Sequence, residues 1–429
     1  MRRILSSIGF TVALLCPWTA FAQNAPTSCT STAQNLWVQN QLNTYYYWYQ
    51  FMPPGVSPSN FTTPEAYLDA VRYKPIDVFS YIQSAAVSDA LFNDGQIVKY
   101  GFTQLVGSSD ITVLQVWQGS PAEEAGLSRG DRILQVNGSS VATLVANGTL
   151  SAAFGPDVVG QSATIVFDKP SGERRTVSMS KRVVNYPTVS VTSMFNVDGR
   201  KVGYIAFNTF IQPSTAALNE AFAVLKTVGA TELVLDMRYN GGGLIDVAVH
   251  LASLIGGTVT NGQPMLNYVH NDKIGPMANK TTRFTNPADA LNLQRLVVIA
   301  TRGTASASEL VINALRPFIP VTIVGDNTYG KPVGSYGFRF CDKVLWPISF
   351  SIKNANLEGD YFAGLPVDCA APDDSTHQLG DAAEGSLAEA LTFIRTGACT
   401  PATAATSRAL RLRQPMPRLA GWDSLVNAQ

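Results

Sequence analysis

Histidine is nearly missing from this chain: 429 residues include three, His250, His270 and His377. That scarcity leaves little material for a Ser–His–Asp triad. His250 falls in an apolar helical pattern and reads as a packed helix residue. His270 (Tyr268-Val-His-Asn271) and His377 (Ser375-Thr-His-Gln378) sit in polar stretches typical of surface loops. No His/Glu or Cys/His spacing of a zinc site occurs, so neither a metal nor another cofactor is expected. Charge is sparse as well. Charged residues make up 14% of the chain, with 31 basic against 31 acidic, which gives no reason to expect a nucleic acid or an anionic membrane surface as partner. Beyond the N-terminus no apolar run is long enough to span a bilayer.

Cysteine is also rare, with five residues. Cys16 lies in a stretch with the marks of a secretory signal peptide. Met1-Arg-Arg leads into an apolar region from Ile8 to Leu15, and Ala20-Phe-Ala22 precedes Gln23, which places the cut after Ala22. Losing Arg2 and Arg3 leaves 29 basic residues against 31 acidic. The mature chain is then expected in the periplasm or outside the cell, where Cys29, Cys341, Cys369 and Cys399 can form two disulfides. Of the three possible pairings, the expected one joins Cys341 to Cys369 at the strand-rich end of the core. It also joins Cys29 to Cys399, tying the two ends of the folded region. A hydrophobic fraction of 46% is ordinary for a core-forming protein of two to four domains.

Against these scarcities, a serine and a lysine 25 residues apart stand out. Ser306, in Thr304-Ala-Ser-Ala-Ser-Glu309, follows the apolar run Leu296-Val-Val-Ile-Ala300 and opens a helix-like stretch, Glu309 to Leu315. Its hydroxyl would sit at a strand–turn–helix junction, where free N–H groups and the helix dipole favour an oxyanion. Lys331, in Tyr329-Gly-Lys-Pro332, follows a second run, Val321-Thr-Ile-Val324, and a turn. The pair reads as nucleophile and general base. Ser306-x-x-Glu309 is equally a capping box, and a lysine in a turn is commonly just solvated. A third segment, Leu233-Val-Leu-Asp-Met-Arg238, breaks into Tyr239-Asn-Gly-Gly-Gly243, whose glycines allow close approach of main chain to a ligand. A lysine base must be desolvated, because a free amine with a pKa near ~10.4 is protonated at neutral pH. Val321, Ile323, Val324 and Val333 are the apolar neighbours that sequence offers for this.

Together the three segments resemble the tail-specific, or carboxy-terminal processing, serine peptidase family. Asp236-Met-Arg-Tyr-Asn-Gly-Gly-Gly243, Ser306-Ala-Ser-Glu309 and Gly330-Lys331 match its motifs in order and spacing. The resemblance implies that Ser306 attacks a peptide carbonyl and Lys331 takes its proton. The oxyanion would be held by the N–H of Ala307 and of either Gly242 or Gly243. Many members carry Gln four residues after the lysine to orient it. This chain has Ser335 there, whose hydroxyl could hydrogen-bond the amine.

Upstream, Lys99-Tyr-Gly-Phe-Thr-Gln104, Ile111 to Val116, Gly119 to Leu127 and Arg129 to Gly138 resemble a PDZ domain of the bacterial protease type. Ser120-Pro-Ala-Glu123 is a helix start with an N-cap, a proline at the first position and a capping box. Tyr100, Gly101 and Phe102 correspond to the loop and strand that take a peptide's C-terminal carboxylate and add its strand to the sheet. The peptide groove is expected between this strand and the helix begun by Ser120.

Before the PDZ-like region, Leu36, Val38, Leu42, Tyr45, Tyr46 and Tyr49 recur at nearly helical spacing until Pro53-Pro54. Thr63-Pro64-Glu65 then starts a second helix with Tyr67, Leu68 and Val71 on one face. This segment is expected to pack on the core, the alternative for its aromatic residues being a substrate groove or a dimer face. The expected organisation is a signal peptide (1–22), a helical N-terminal segment (23–95), a PDZ-like domain (96–185), a peptidase core ending in a helix near Ser386 to Arg395 (186–399), and a flexible tail (400–429). The fold class is α/β, a core of strand–helix units with a β-rich PDZ-like domain and the helical N-terminal segment. The expected function is an exported Ser–Lys endopeptidase that cuts unfolded or flexible proteins near free C-termini. The alternative is a non-catalytic peptide-binding scaffold of the same fold.

Overall fold

Leu296–Ala300 is an unbroken apolar run, and in the computed structural model, which describes residues 25–401, it is a strand with every residue buried. Such a run belongs in the middle of a parallel sheet covered on both faces. The sheet has six strands in the order Val189–Val197, Arg200–Phe207, Glu232–Asp236, Leu296–Ala300, Val321–Gly325 and Cys369–Ala370. The first pair is antiparallel and every later pair parallel. Side chains alternate between two cores, as the two-residue period of a strand demands. Ile205, Leu235 and Val298 face the helices Ser214–Thr227, Ile245–Gly256 and Ala307–Leu315. Tyr204, Val234, Val297 and Ile299 face Leu387, Ala390 and Ile394 of the last helix, Gly385–Thr396. The signal peptide, its cut after Ala22, Cys16 and nearly all of the tail lie outside the described residues.

The PDZ-like region leaves and re-enters at one place, because Gln96–Lys99 pairs antiparallel with Arg182–Asn185. Between them, Phe102–Val106, Ile111–Val116, Arg132–Val136, Ser162–Asp168 and Arg174–Ser180 form one sheet in that order. Phe102–Val106 is therefore an edge strand. Ser120 caps the short helix Pro121–Glu124, its hydroxyl accepting from Glu123 N–H at 3.2 Å.

In the N-terminal segment the predicted second helix forms as Pro64–Val71, capped by Thr63, with Tyr67, Leu68 and Val71 buried. The first helix runs Ser31–Tyr45 and ends well before Pro53-Pro54. Tyr46 turns extended there, and Tyr47 N–H pairs with Ile348 O at 2.7 Å, so the chain gives up its helix to dock on the core. Docking is aromatic. Trp37 stacks on Phe340 with centroids 4.6 Å apart, and Tyr45 lies 4.7 Å from Phe338.

That docking overturns the expected disulfides. The bonds are Cys29–Cys341 and Cys369–Cys399, not Cys341–Cys369 and Cys29–Cys399. Cys29 enters the helix whose aromatics lie on Phe338 and Phe340, which puts it beside Cys341. Cys369, on the sheet edge, shares an apolar cluster with the last helix, and Cys399 follows that helix directly.

Candidate active site

Ser306 stands where expected, between the strand Leu296–Ala300 and the helix Ala307–Leu315. Its backbone is unusual, with φ 55° and ψ −113° in a residue that has a Cβ. Such a conformation persists only where neighbours hold it. The turn before it is stitched to the glycine-rich segment. Thr304 Oγ1 donates to Met237 O at 2.8 Å, Ala305 N–H to Asn240 O at 3.1 Å, and Thr301 Oγ1 to Arg238 O. From the helix side Ser308 Oγ donates to Asn240 O at 2.9 Å.

Glu309 joins this turn to the lysine. Its carboxylate is fully buried and accepts four hydrogen bonds: Ser306 N–H at 2.8 Å, Thr328 Oγ1 at 2.6 Å, Gly330 N–H at 2.7 Å and Lys331 N–H at 2.9 Å. Burial pushes its pKa up, and the four donors pull the other way. Thr328 also receives Leu365 N–H on its hydroxyl at 2.7 Å, so the segment after Phe362 closes over the lysine loop.

Lys331 is 9% exposed, and burial lowers its amine to about 8, with Asp77 and Glu309 opposing the shift. Its Nζ lies 5.6 Å from the centroid of the Phe79 ring. The sequence offered Val321, Ile323, Val324 and Val333 as its apolar surroundings. Val333 does pack in one cluster with Phe79, while the other three belong to the two faces of the central sheet. Ser335 does not take the expected place. Its hydroxyl is buried without a hydrogen-bond partner among the described residues, so no Ser335–Lys331 bond forms. Ser335 follows a register irregularity on its strand and pairs with Ile348.

The glycine turn lies directly against the serine. A Cβ on Gly242, φ 104°, would fall 2.8 Å from Ser306 Cβ and 2.9 Å from Ala307 N. On Gly243, φ 137°, it would fall 2.1 Å from Phe210 O. Only glycine fits either position. The two N–H groups differ in what they do. Gly242 N–H donates to Asn240 Oδ1 at 2.9 Å, whereas those of Gly243 and Ala307 have no hydrogen-bond partner among the described residues.

The histidines lie elsewhere, each with its own neighbours. His250 meets Asn219 Oδ1 at 2.6 Å, and His377 meets Asp374 at 2.6 Å. His270 departs from the expected surface loop. It ends the strand Pro264–His270, is buried, and lies between Asn279 and Tyr336 at 3.0 and 2.9 Å.

A polar network that sequence did not reveal links the PDZ-like region to the glycine turn. Arg129, buried in a turn, donates to Leu114 O on the strand Ile111–Val116, to Tyr239 Oη at 2.5 Å and to Asp373 Oδ1 at 2.6 Å. Tyr239 in turn donates to Asp373 Oδ2 at 2.6 Å. Next to it Arg238, also buried, pairs with Asp236, Asp373 and Glu384. The only sequence hint was that Arg129 and Arg238 both lie inside quoted motifs. Tyr100, Gly101 and Phe102 border the open edge strand, but the short helix from Ser120 buttresses their backbone and does not form a groove. Ala122 N–H donates to Tyr100 O at 2.9 Å, and Ser120 Oγ to Gly101 O at 3.1 Å. The rings of Tyr100 and Phe102 face Phe154 at 6.0 and 6.5 Å, at the end of the helix Leu150–Phe154.

Residues 201–352 match the peptidase family S41 model, residues 33–81 the peptidase S41 N-terminal domain, and residues 112–146 a PDZ domain. A chloroplastic C-terminal processing peptidase of Tetradesmus obliquus is 31% identical over 236 residues, 52% of this chain and 48% of the relative. A carboxyl-terminal-processing protease of Synechocystis sp. is 28% identical over 235 residues, 55% of this chain and 52% of the relative. The chain thus spans about half the length of these curated relatives. A crystal structure described as an S41 protease from Bacteroides fragilis superposes with a TM-score of 0.69 at 27% identity, over 83% of this chain and 96% of the other.

Proposed function

The chain belongs to peptidase family S41 and carries a PDZ domain, and on that premise we propose that it is an exported serine endopeptidase working through Ser306 and Lys331. The observation that carries this reading is the single Glu309 carboxylate on which the serine turn and the lysine loop both hang, next to a buried amine lowered to about 8. A neutral Lys331 removes the Ser306 proton as Oγ attacks the scissile carbonyl. The oxyanion settles between the N–H groups of Ala307 and Gly243. Gly243 is preferred to Gly242 because the latter's N–H is already committed to Asn240. The lysine ammonium then protonates the leaving amine, and water, deprotonated by Lys331, hydrolyses the acyl-enzyme.

The substrates of this reading are unfolded or flexible proteins cut near a free C-terminus. The open edge of Phe102–Val106 supports it, since a peptide strand can add there with its side chains toward Phe154. The boundaries 23–95, 96–185 and 186–399 are kept as its modules, and the two disulfides suit an oxidising compartment. Among the described residues no helix is long and apolar enough to cross a membrane.

The test is incubation of the purified mature chain with casein, with the cut sites mapped by mass spectrometry. Ser306→Ala and Lys331→Ala should each abolish nearly all cleavage, and the double variant should be no worse than the worse single one. Full activity in Ser306→Ala would reject the assignment and leave a peptide-binding scaffold.

A further inference from the structure

The amine of Lys331 is covered by residues from a different module, far away in sequence. Phe79 is 5% exposed, and its ring is the aromatic face over Nζ. The ring is fixed by a turn built on Asp77, which is fully buried. Asp77 Oδ1 accepts the N–H groups of Phe79 and Ser80, both at 2.9 Å, and Oδ2 accepts the Tyr46 hydroxyl at 2.7 Å. Tyr46 Oη itself accepts Tyr73 N–H at 2.9 Å, and Arg72 donates to Asp77 O at 2.9 Å. Ser80 Oγ accepts Ile348 N–H at 2.9 Å, pinning the turn to the strand that follows the lysine hairpin. On its other side Phe79 meets Tyr329 edge-on, with centroids 6.2 Å apart. Every part of this turn is satisfied, and its outcome is one ring set against one amine.

We propose that Phe79 and Asp77 are positioning residues for Lys331: the ring seals the amine from water, the carboxylate holds the turn that carries the ring, and the base is complete only when the N-terminal module is docked. This rests on Lys331 being the base. The charged groups that act on Lys331 are Asp77, from the N-terminal turn, and Glu309, from the nucleophile helix. Both favour the ammonium, so the neutral amine is owed to burial, of which Phe79 is the part the N-terminal module supplies. The ring face also attracts a cation, but at 5.6 Å it lies near the outer limit of that attraction. Desolvation of a buried amine is the larger effect, as the net downward shift of Lys331 shows.

The two residues therefore pull in opposite directions, and that opposition is what the experiment reads. The probe is a fluorophosphonate, whose rate of labelling Ser306 reports the nucleophile without needing a substrate groove. In Phe79→Ala the pH of half-maximal labelling should rise by about one unit or more, while Phe79→Leu, which still excludes water, should stay near wild type. In Asp77→Asn, which keeps the turn's acceptor and loses the charge, it should fall. Unchanged midpoints in both Phe79→Ala and Asp77→Asn, or shifts of the same sign, would overturn the inference. If Phe79→Ala does not fold, a downward shift in Asp77→Asn still supports the proposal and an unmoved midpoint overturns it. A Lys331→Ala control separates the two levels of argument. Wild-type labelling in that control would sink the base assignment itself, whereas lost labelling together with unmoved midpoints would sink only the role of the N-terminal turn.

Discussion

Ser306 and Lys331 donate their main-chain N–H groups to the same oxygen, Oε2 of Glu309, at 2.8 and 2.9 Å. Their relative position is thus set by one side chain and not by two independent loops. Glu309→Gln keeps the volume but turns one acceptor into a donor facing buried donors. It should cost roughly 2–4 kcal/mol of stability, from buried N–H and O–H groups left unpaired. Labelling of Ser306 should slow at least a hundredfold in protein that remains folded. Denaturant melts and labelling rates measure the two effects separately, and wild-type values in both would remove Glu309 from the design.

If Lys331 is the base proposed above, activity should rise with pH through about 8, because its reactive form would be the neutral amine. The triple variant His250→Ala, His270→Ala, His377→Ala should retain that profile if it folds. Stability carries the same signature. The folded pKa lies below the unfolded one of 10.5, so between these values the unfolded chain binds more protons, and this group makes stability rise with pH. Below about 8 the full penalty for burying the ammonium is present. Lys331→Met should therefore stabilise the fold at pH 7, by up to about 3 kcal/mol, and the advantage should fade by pH 10.5. Chemical denaturation at the two pH values checks this, and an unstable Lys331→Met at pH 7 would contradict it.

The PDZ region can act by holding substrate or by holding the core, and two variants tell these apart. Phe154→Ala removes the ring that Tyr100 and Phe102 face beside the open strand edge and should slow cleavage of a long substrate with a free apolar C-terminus far more than cleavage of a short peptide, because remote binding energy is lost. Arg129→Met removes the bonds to Tyr239 and Asp373 behind the glycine turn. It should slow both substrates alike, since breaking a buried ion pair costs about 3–5 kcal/mol and loosens the oxyanion side. Paired kcat/KM measurements decide. Equal losses from Phe154→Ala would remove the reason for expecting C-terminal specificity.

No free thiol should react after denaturation of the purified mature chain without reductant, and peptide mapping should return Cys29 with Cys341 and Cys369 with Cys399. Loss of either bond should cost about 2–4 kcal/mol. Four reactive thiols would reject both bonds and the oxidising compartment with them.

The parts of the site that were legible in sequence are those coded locally. Ser306, Ala307, Glu309 and Lys331 follow buried strands at short range, and Gly242 and Gly243 declare a close approach that no other residue tolerates. The two-faced sheet was legible from runs such as Leu233–Leu235 and Leu296–Ala300 for the same reason. What was hidden depends on distant segments meeting. Phe79 and Asp77 sit in a stretch with no periodic signal, and Arg129 looked like an ordinary turn residue until Asp373 and Tyr239 closed on it. The disulfides were misassigned because pairing follows the docking of Trp37 and Tyr45 on Phe340 and Phe338, which spacing along the chain cannot express.

The bond between Cys29 and Cys341 spans a separation of 312 residues, and this sets an order in time. Residues 29–80 are made long before Phe338, Phe340, Cys341 and Ile348, onto which they dock. Until those segments meet, Lys331 lacks the cover that Phe79 gives it. Contacts between segments so far apart in sequence form slowly, because a long loop must close first. On the reading proposed above, the base is therefore complete only once the earlier-made of these segments has come home to the later one.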